Sequence, residues 1–125
     1  MELNEITGII VDCFYKVHTI LGPGLFESVY EEALCYEISK RGLRFVRQVP
    51  VDVMYENIKL KVAFVADIIV EGKVIIEIKS IEKLANIHKK QLHTYLKLTG
   101  IKVGLLVNFN EVLIKDGIVR IANNA

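Results

Sequence analysis

The chain has 125 residues, 52% of them apolar and 25% charged, which suits one layered core and excludes a disordered or low-complexity polymer. Sixteen Lys and Arg against fifteen Asp and Glu leave a formal charge of +1, so no global field draws the chain to nucleic acid or to an anionic membrane. No window reaches the ~18 apolar residues of a membrane span, and the opening MELNEITG carries two acids where a signal peptide needs an apolar run. A cytoplasmic protein with no membrane partner is expected, one domain over residues 1–125. Cys13 and Cys35 lie far apart within helical patterns and read as small buried hydrophobes in a reducing compartment.

Ile6, Ile9, Ile10, Cys13, Phe14, Val17 and Leu21 form one stripe at helical spacing, and Gly22-Pro23-Gly24 ends it. Phe26, Val29, Tyr30, Ala33, Leu34 and Ile38 form a second stripe that runs to Gly42, a good residue for a left-handed turn. From Phe45 the pattern favours strands, with Pro50 marking an edge or bend and Glu56-Asn57 a turn into 58–64. Strand character persists to Lys79. Residues 84–99 return to helical spacing and stop at Gly100, and 101–107 is a short apolar strand. The intervening helix lets that strand run parallel to its neighbour, and a hairpin around Asp116-Gly117 closes the fold.

The stretch ADIIVEGKVIIEIKS, residues 66–80, places Asp67, Glu77 and Lys79 inside an otherwise buried hairpin. Glu77 and Lys79 are two apart on a strand and share a face, opposite Ile76 and Ile78. A two-residue loop at Glu71-Gly72 turns Asp67 away from them. A three-residue loop, Val70-Glu71-Gly72, pairs Asp67 with Ile75 and brings it to the Glu77 face, and glycine stands where the bulge needs it. Two carboxylates close together in an apolar surface need a positive partner. Lys79 is one candidate, and a divalent cation, held by one or two carboxylates with retained waters, is the other.

On the helix from Leu84, His88, Gln91 and Tyr95 fall on the side of Leu84 and Leu92, so polar groups occupy the middle of the expected buried stripe. Glu27 sits in the first turn of the second helix, where the helix dipole already favours a carboxylate. Three separated segments therefore turn polar groups inward.

Gly24-Leu25-Phe26-Glu27-Ser28-Val29-Tyr30 resembles the signature of the GxxExxY proteins, a bacterial and archaeal family. The likeness extends through Val17-His18, Leu21-Gly22-Pro23, Arg47-Gln48-Val49-Pro50, the segment 91–100 and Val107-Asn108-Phe109-Asn110. That family is grouped with the PD-(D/E)xK nucleases. The resemblance implies an α/β fold with a restriction-endonuclease-like core, a mixed central sheet flanked by helices in the order α-α-β-β-β-α-β, plus the C-terminal hairpin. It also implies that the superfamily motif falls on Asp67, Glu77 and Lys79, and Gln91 with Tyr95 is similar to a pair in the RecB-like branch. By the same resemblance the metal, Mg²⁺ or Mn²⁺, is held by Asp67, Glu77 and the carbonyl of Ile78, with Glu27 assisting. Ala66 stands where the superfamily name has Pro, and Val65 replaces a basic residue before the Asp. His18 and His88 fit the pattern as orienting hydrogen-bonders.

The expected function is metal-dependent hydrolysis of phosphodiester bonds, in DNA before RNA, with Lys79 orienting water and Gln91 and Tyr95 positioning substrate or bracing Lys79. Lys83, Lys89 and Lys90 lie near the mouth of such a site, where a solvated charged surface is their ordinary role. The alternative is a catalytically inactive module on the same scaffold that binds nucleic acid or a protein partner. The small size leaves room for a homodimer or another partner in either case.

Overall fold

The computed structural model describes residues 1–123, leaving aside the side chain of Val62, so the last two residues of the expected 1–125 unit lie outside it. Helix α1 (Leu3–Leu21) stops where Gly22 takes φ 69°. Helix α2 (Glu27–Lys40) follows after a short loop. That loop is tied by Tyr30, whose hydroxyl donates to the Gly22 carbonyl at 2.6 Å and accepts the Leu25 N–H at 3.2 Å. Phe26 and Val29, expected in the apolar stripe of α2, are exposed instead, because the helix meets the core only from Tyr30 onward.

Strands β1 (Phe45–Tyr55), β2 (Ile58–Val70) and β3 (Val74–Lys79) come next, then helix α3 (Asn86–Thr99), strand β4 (Val103–Asn108) and strand β5 (Ile118–Ala122). They form one sheet in the order β1-β2-β3-β4-β5. Only β3 and β4 are parallel, as the α3 crossover requires, and the other pairs are antiparallel. The fold is therefore the expected mixed α/β sheet with helices on both faces. Pro50 lies in β1, an edge strand that tolerates the missing N–H.

Helices α1 and α2 cover one face, where Ile6, Ile10, Phe14, Tyr30, Leu34 and Ile38 pack with Ile68, Ile76, Ile78 and Val107. Phe109 stacks on Tyr30 at 4.5 Å and meets Phe14 edge-on at 6.0 Å. Helix α3 covers the other face through Leu92 and Leu96, against Ala66, Ile69, Ile75 and Leu106. Gly104 permits that contact, since a Cβ there would lie 2.8 Å from the Leu92 side chain.

Two further expectations need correction. The β2–β3 loop does have three residues, but they are Glu71, Gly72 and Lys73: the ladder pairs Val70 with Val74, Ile69 with Ile75 and Ile68 with Ile76. Ile69, not Asp67, therefore opposes Ile75. Glu71 joins Gly72 in the left-handed region, and the start of β1 holds the loop there. The Glu71 N–H donates to the Arg44 carbonyl at 2.8 Å, and its carboxylate accepts the Arg44 N–H at 2.6 Å. The shift is two residues, so face parity is unchanged. The second correction concerns Asp116-Gly117, which belongs to a 3₁₀ turn (Ile114–Gly117) leading into β5 and is not a hairpin turn. Gly117 is needed there for close approach, because a Cβ would come within 2.5 Å of the Asn108 carbonyl.

Candidate active site

The β2–β3 ladder ends at Ile68 and Ile76, and beyond it the two strands separate. Asp67 stands at the point of separation. Its Oδ2 accepts the N–H of Ile78 at 2.8 Å, so a side chain satisfies a main-chain donor that has lost its strand partner. On the other edge of β3, the Lys79 carbonyl accepts the Phe109 N–H at 2.9 Å. Since successive residues of a strand alternate between neighbours, the Ile78 carbonyl shares the open side with its own N–H and faces the gap beside Asp67.

Glu77 lies on the α3 face of β3, buried, with Lys79 half-buried two residues on. Burial first, and the Asp67 carboxylate second, push the Glu77 carboxyl up to about 9, against a smaller lowering by Lys79. Its Oε1 is buried without a hydrogen-bond partner. Among the described residues Lys79 makes no salt bridge with either acid, so the lysine does not fill the positive place between them. Tyr95 is stacked on Phe64 with ring centroids 3.6 Å apart, and its phenol is raised by burial, then by Glu77, then by Asp67. The structure therefore brings Asp67, Glu77, Lys79 and Tyr95 to one end of the sheet.

Other expected residues stand further out. Gln91 is exposed, outside the buried stripe of α3, whose buried residues are Leu92 and Leu96. Leu84, just before the helix, and Tyr95 do pack with Leu92 and Leu96, so the buried stripe is narrower than expected and leaves Gln91 outside it. Glu27 is exposed and its Oε2 accepts the Ser80 N–H at 3.1 Å, one residue beyond Lys79. No group of three His, Cys, Asp or Glu side chains among the described residues is placed to hold a metal ion, so Glu27 stands apart from the Asp67–Glu77 pair. His18 Nε2 donates to the Glu111 carbonyl at 2.7 Å, and His88 Nδ1 accepts the Ala85 N–H at 2.9 Å at the start of α3. Both histidines orient main chain. Val65 is exposed.

The oxygen donors at the gap, the Glu77 and Asp67 carboxylates and the Ile78 carbonyl, suit a hard divalent cation that retains waters. The orphaned Oε1 of Glu77 is the specific sign of fit, since a buried carboxylate oxygen without a partner is costly.

Ser80, Asn108 and Gln48 were not picked out as site residues by sequence, and each lies beside or opposite the residues that border the gap. The Ser80 hydroxyl donates to the Leu25 carbonyl at 2.6 Å. Asn108, fully buried, accepts the Ile81 N–H at 3.1 Å and donates to the Ile81 carbonyl at 3.0 Å. A polar residue closing an all-apolar strand was the signal available for Asn108. Gln48 has φ 49°, uncommon for a residue with a side chain, and sits across from Asp67 where the β1–β2 ladder skips a pair between Arg47↔Ile68 and Val49↔Ala66.

Among the described residues no helix is long and apolar enough to cross a membrane. Three solved chains match the fold. One is the crystal structure of SSO0001, with TM-score 0.60 and 24% identity over 79% of this chain. The chain spans about half of that neighbour, 51% of its length. No curated protein matches by sequence. A family model for the PD-(D/E)XK nuclease superfamily matches residues 4–121, nearly the whole chain. The chain thus belongs to the PD-(D/E)XK nuclease superfamily.

Proposed function

We propose that the chain is a divalent-metal-dependent nuclease that hydrolyses phosphodiester bonds, with DNA as the preferred substrate. The observation that carries this is the Glu77 carboxylate, buried beside Asp67 with one oxygen unpartnered and no lysine paired to it. A fold gains nothing in stability from such a pair, whereas a cation site needs it. The segment from Gly24 to Tyr30, and the Gln91 and Tyr95 spacing, support a place among the GxxExxY proteins and the RecB-like branch.

Asp67, Glu77 and the Ile78 carbonyl would hold the ion, Mg²⁺ or Mn²⁺, which when bound supplies Lewis acidity and a water of lowered pKa. Lys79 brings a mobile positive charge to the same face, where it orients the attacking water and offsets negative charge developing on the phosphate. Tyr95, held against Phe64, keeps its phenolic proton and donates a hydrogen bond to a phosphate oxygen or to the acid pair. Gln91, exposed one turn before Tyr95, is free to contact the strand being cut. Glu27 acts through Ser80, fixing the main chain that follows Lys79.

The decisive experiment incubates labelled single- and double-stranded DNA and RNA with the protein in Mg²⁺, Mn²⁺ or chelator, beside the Glu77→Ala variant. Metal-dependent cleavage that the variant lacks is the expected result. Binding of nucleic acid without cleavage, and no calorimetric signal for metal, would replace this proposal with an inactive binding module.

A further inference from the structure

We infer that Gln48, through its left-handed backbone, is a positioning residue that aims Asp67 at the gap between β2 and β3. Phe45 packs toward α1 and α2, whereas Val49, an even number of residues later, packs toward α3. A regular strand keeps such residues on one face. Strand β2 does the same in mirror: Ile68 and Val70 face α1 and α2, but Ala66 and Phe64 face α3. Both strands of the ribbon turn over at one step, and the residues at that step are Gln48 and Asp67, the pair missing from a register that is otherwise constant from Phe45↔Val70 to Asp52↔Ala63.

The left-handed backbone of Gln48 produces the turn-over, and a built network holds it. Gln48 Nε2 donates to Glu31 Oε1 at 2.7 Å. Arg47 donates to Glu31 Oε2 through Nε at 3.1 Å and through Nη2 at 2.9 Å, and Nη2 also reaches Glu32 at 2.8 Å. Glu31 is buried on α2, so every one of its oxygens is committed to this corner of β1. A side chain in left-handed conformation costs free energy, and such outliers persist where surrounding contacts over-determine them. The consequence reaches Asp67 directly. Because β2 turns over there, the Asp67 carboxylate leaves the regular alternation and meets the Ile78 N–H at 2.8 Å, beside Glu77.

The inference rests on the nuclease proposal only for its effect on turnover; the placement of Asp67 is measurable without it. Gln48→Val disfavours positive φ and removes the amide, whereas Gln48→Gly keeps the backbone free to adopt it. In metal-free protein, the Ile78 amide proton observed by NMR should shift and exchange faster in Gln48→Val, and stay near wild type in Gln48→Gly. Calorimetric Mn²⁺ affinity should fall about tenfold or more in the valine variant and about threefold or less in the glycine variant. Should the valine variant fail to fold, Gln48→Ala provides the same comparison at smaller strain. An unmoved Ile78 amide in the valine or alanine variant overturns the inference, as does an equal loss in glycine and valine. If wild type binds no Mn²⁺ the nuclease proposal falls, and the Ile78 amide still decides this one.

Discussion

Strand β3 presents two different surfaces. Val74, Ile76 and Ile78 face α1 and α2 within a continuous cluster that includes stacked Tyr30 and Phe109, and every side chain there has an apolar neighbour. Ile75, Glu77 and Lys79 face α3, where the apolar contact ends after Ile75 and carboxylates begin. One six-residue strand thus carries both the packing that holds the sheet and the charges that strain it. The contrast teaches that stability and chemistry are separable here by the parity of a residue number: even positions of β3 are bound to the core, while Glu77 and Lys79 are kept against the preference of the fold.

The largest test of that separation is Glu77→Gln. It should lower metal-dependent hydrolysis by roughly 10⁴-fold, ~5.5 kcal/mol of transition-state stabilisation. The variant should nonetheless fold, as checked by circular dichroism; loss of both activity and fold would merge the two faces. Phe14→Ala on the opposite face should do the reverse, costing about 3–5 kcal/mol in urea unfolding through the cavity it leaves, while metal affinity per folded molecule stays unchanged.

A third test uses pH. In metal-free protein the folded Glu77 holds its proton up to about pH 9, against 4.5 in an unstructured chain, so between these values the folded state binds one more proton than the unfolded. Stability from this group is complete below pH 4.5 and is lost as pH rises to about 9; that component of the slope in urea unfolding should be absent in Glu77→Gln. Since the ion competes with that proton, apparent Mn²⁺ affinity should rise nearly tenfold per pH unit between about 7 and 9 by calorimetry. The smallest effect is expected from Gly104→Ala, which forces Leu92 away from β4 and should cost about 1–3 kcal/mol of stability with a minor change in turnover.

Helix α1, the edge position of β1 and the parallel β3–β4 pair were legible because each depends on local pattern: a 3.6-residue stripe, a proline, a crossover helix. Face parity of Glu77 and Lys79 was legible for the same reason. The hairpin register was not, because Glu71 adopts a left-handed conformation only through its two bonds to Arg44, a contact distant in sequence. The exposure of Gln91 was not legible because a stripe only as wide as Leu92, Tyr95 and Leu96 leaves the neighbouring position outside, and sequence does not fix that width. Least legible was the turn-over at Gln48, since glutamine does not announce a positive φ, and the network that holds it spans α2 and β1.

The main chain just beyond Lys79 is fastened on two sides: Ser80 to Leu25 and Glu27, and Ile81 to Asn108 and Asn110. Its ordering entropy is spent during folding, so the lysine ammonium can swing on its four-carbon stem while its root stays still. In the proposed nuclease, a fixed floor under Lys79 lets its charge follow the phosphate while the backbone that carries it does not yield.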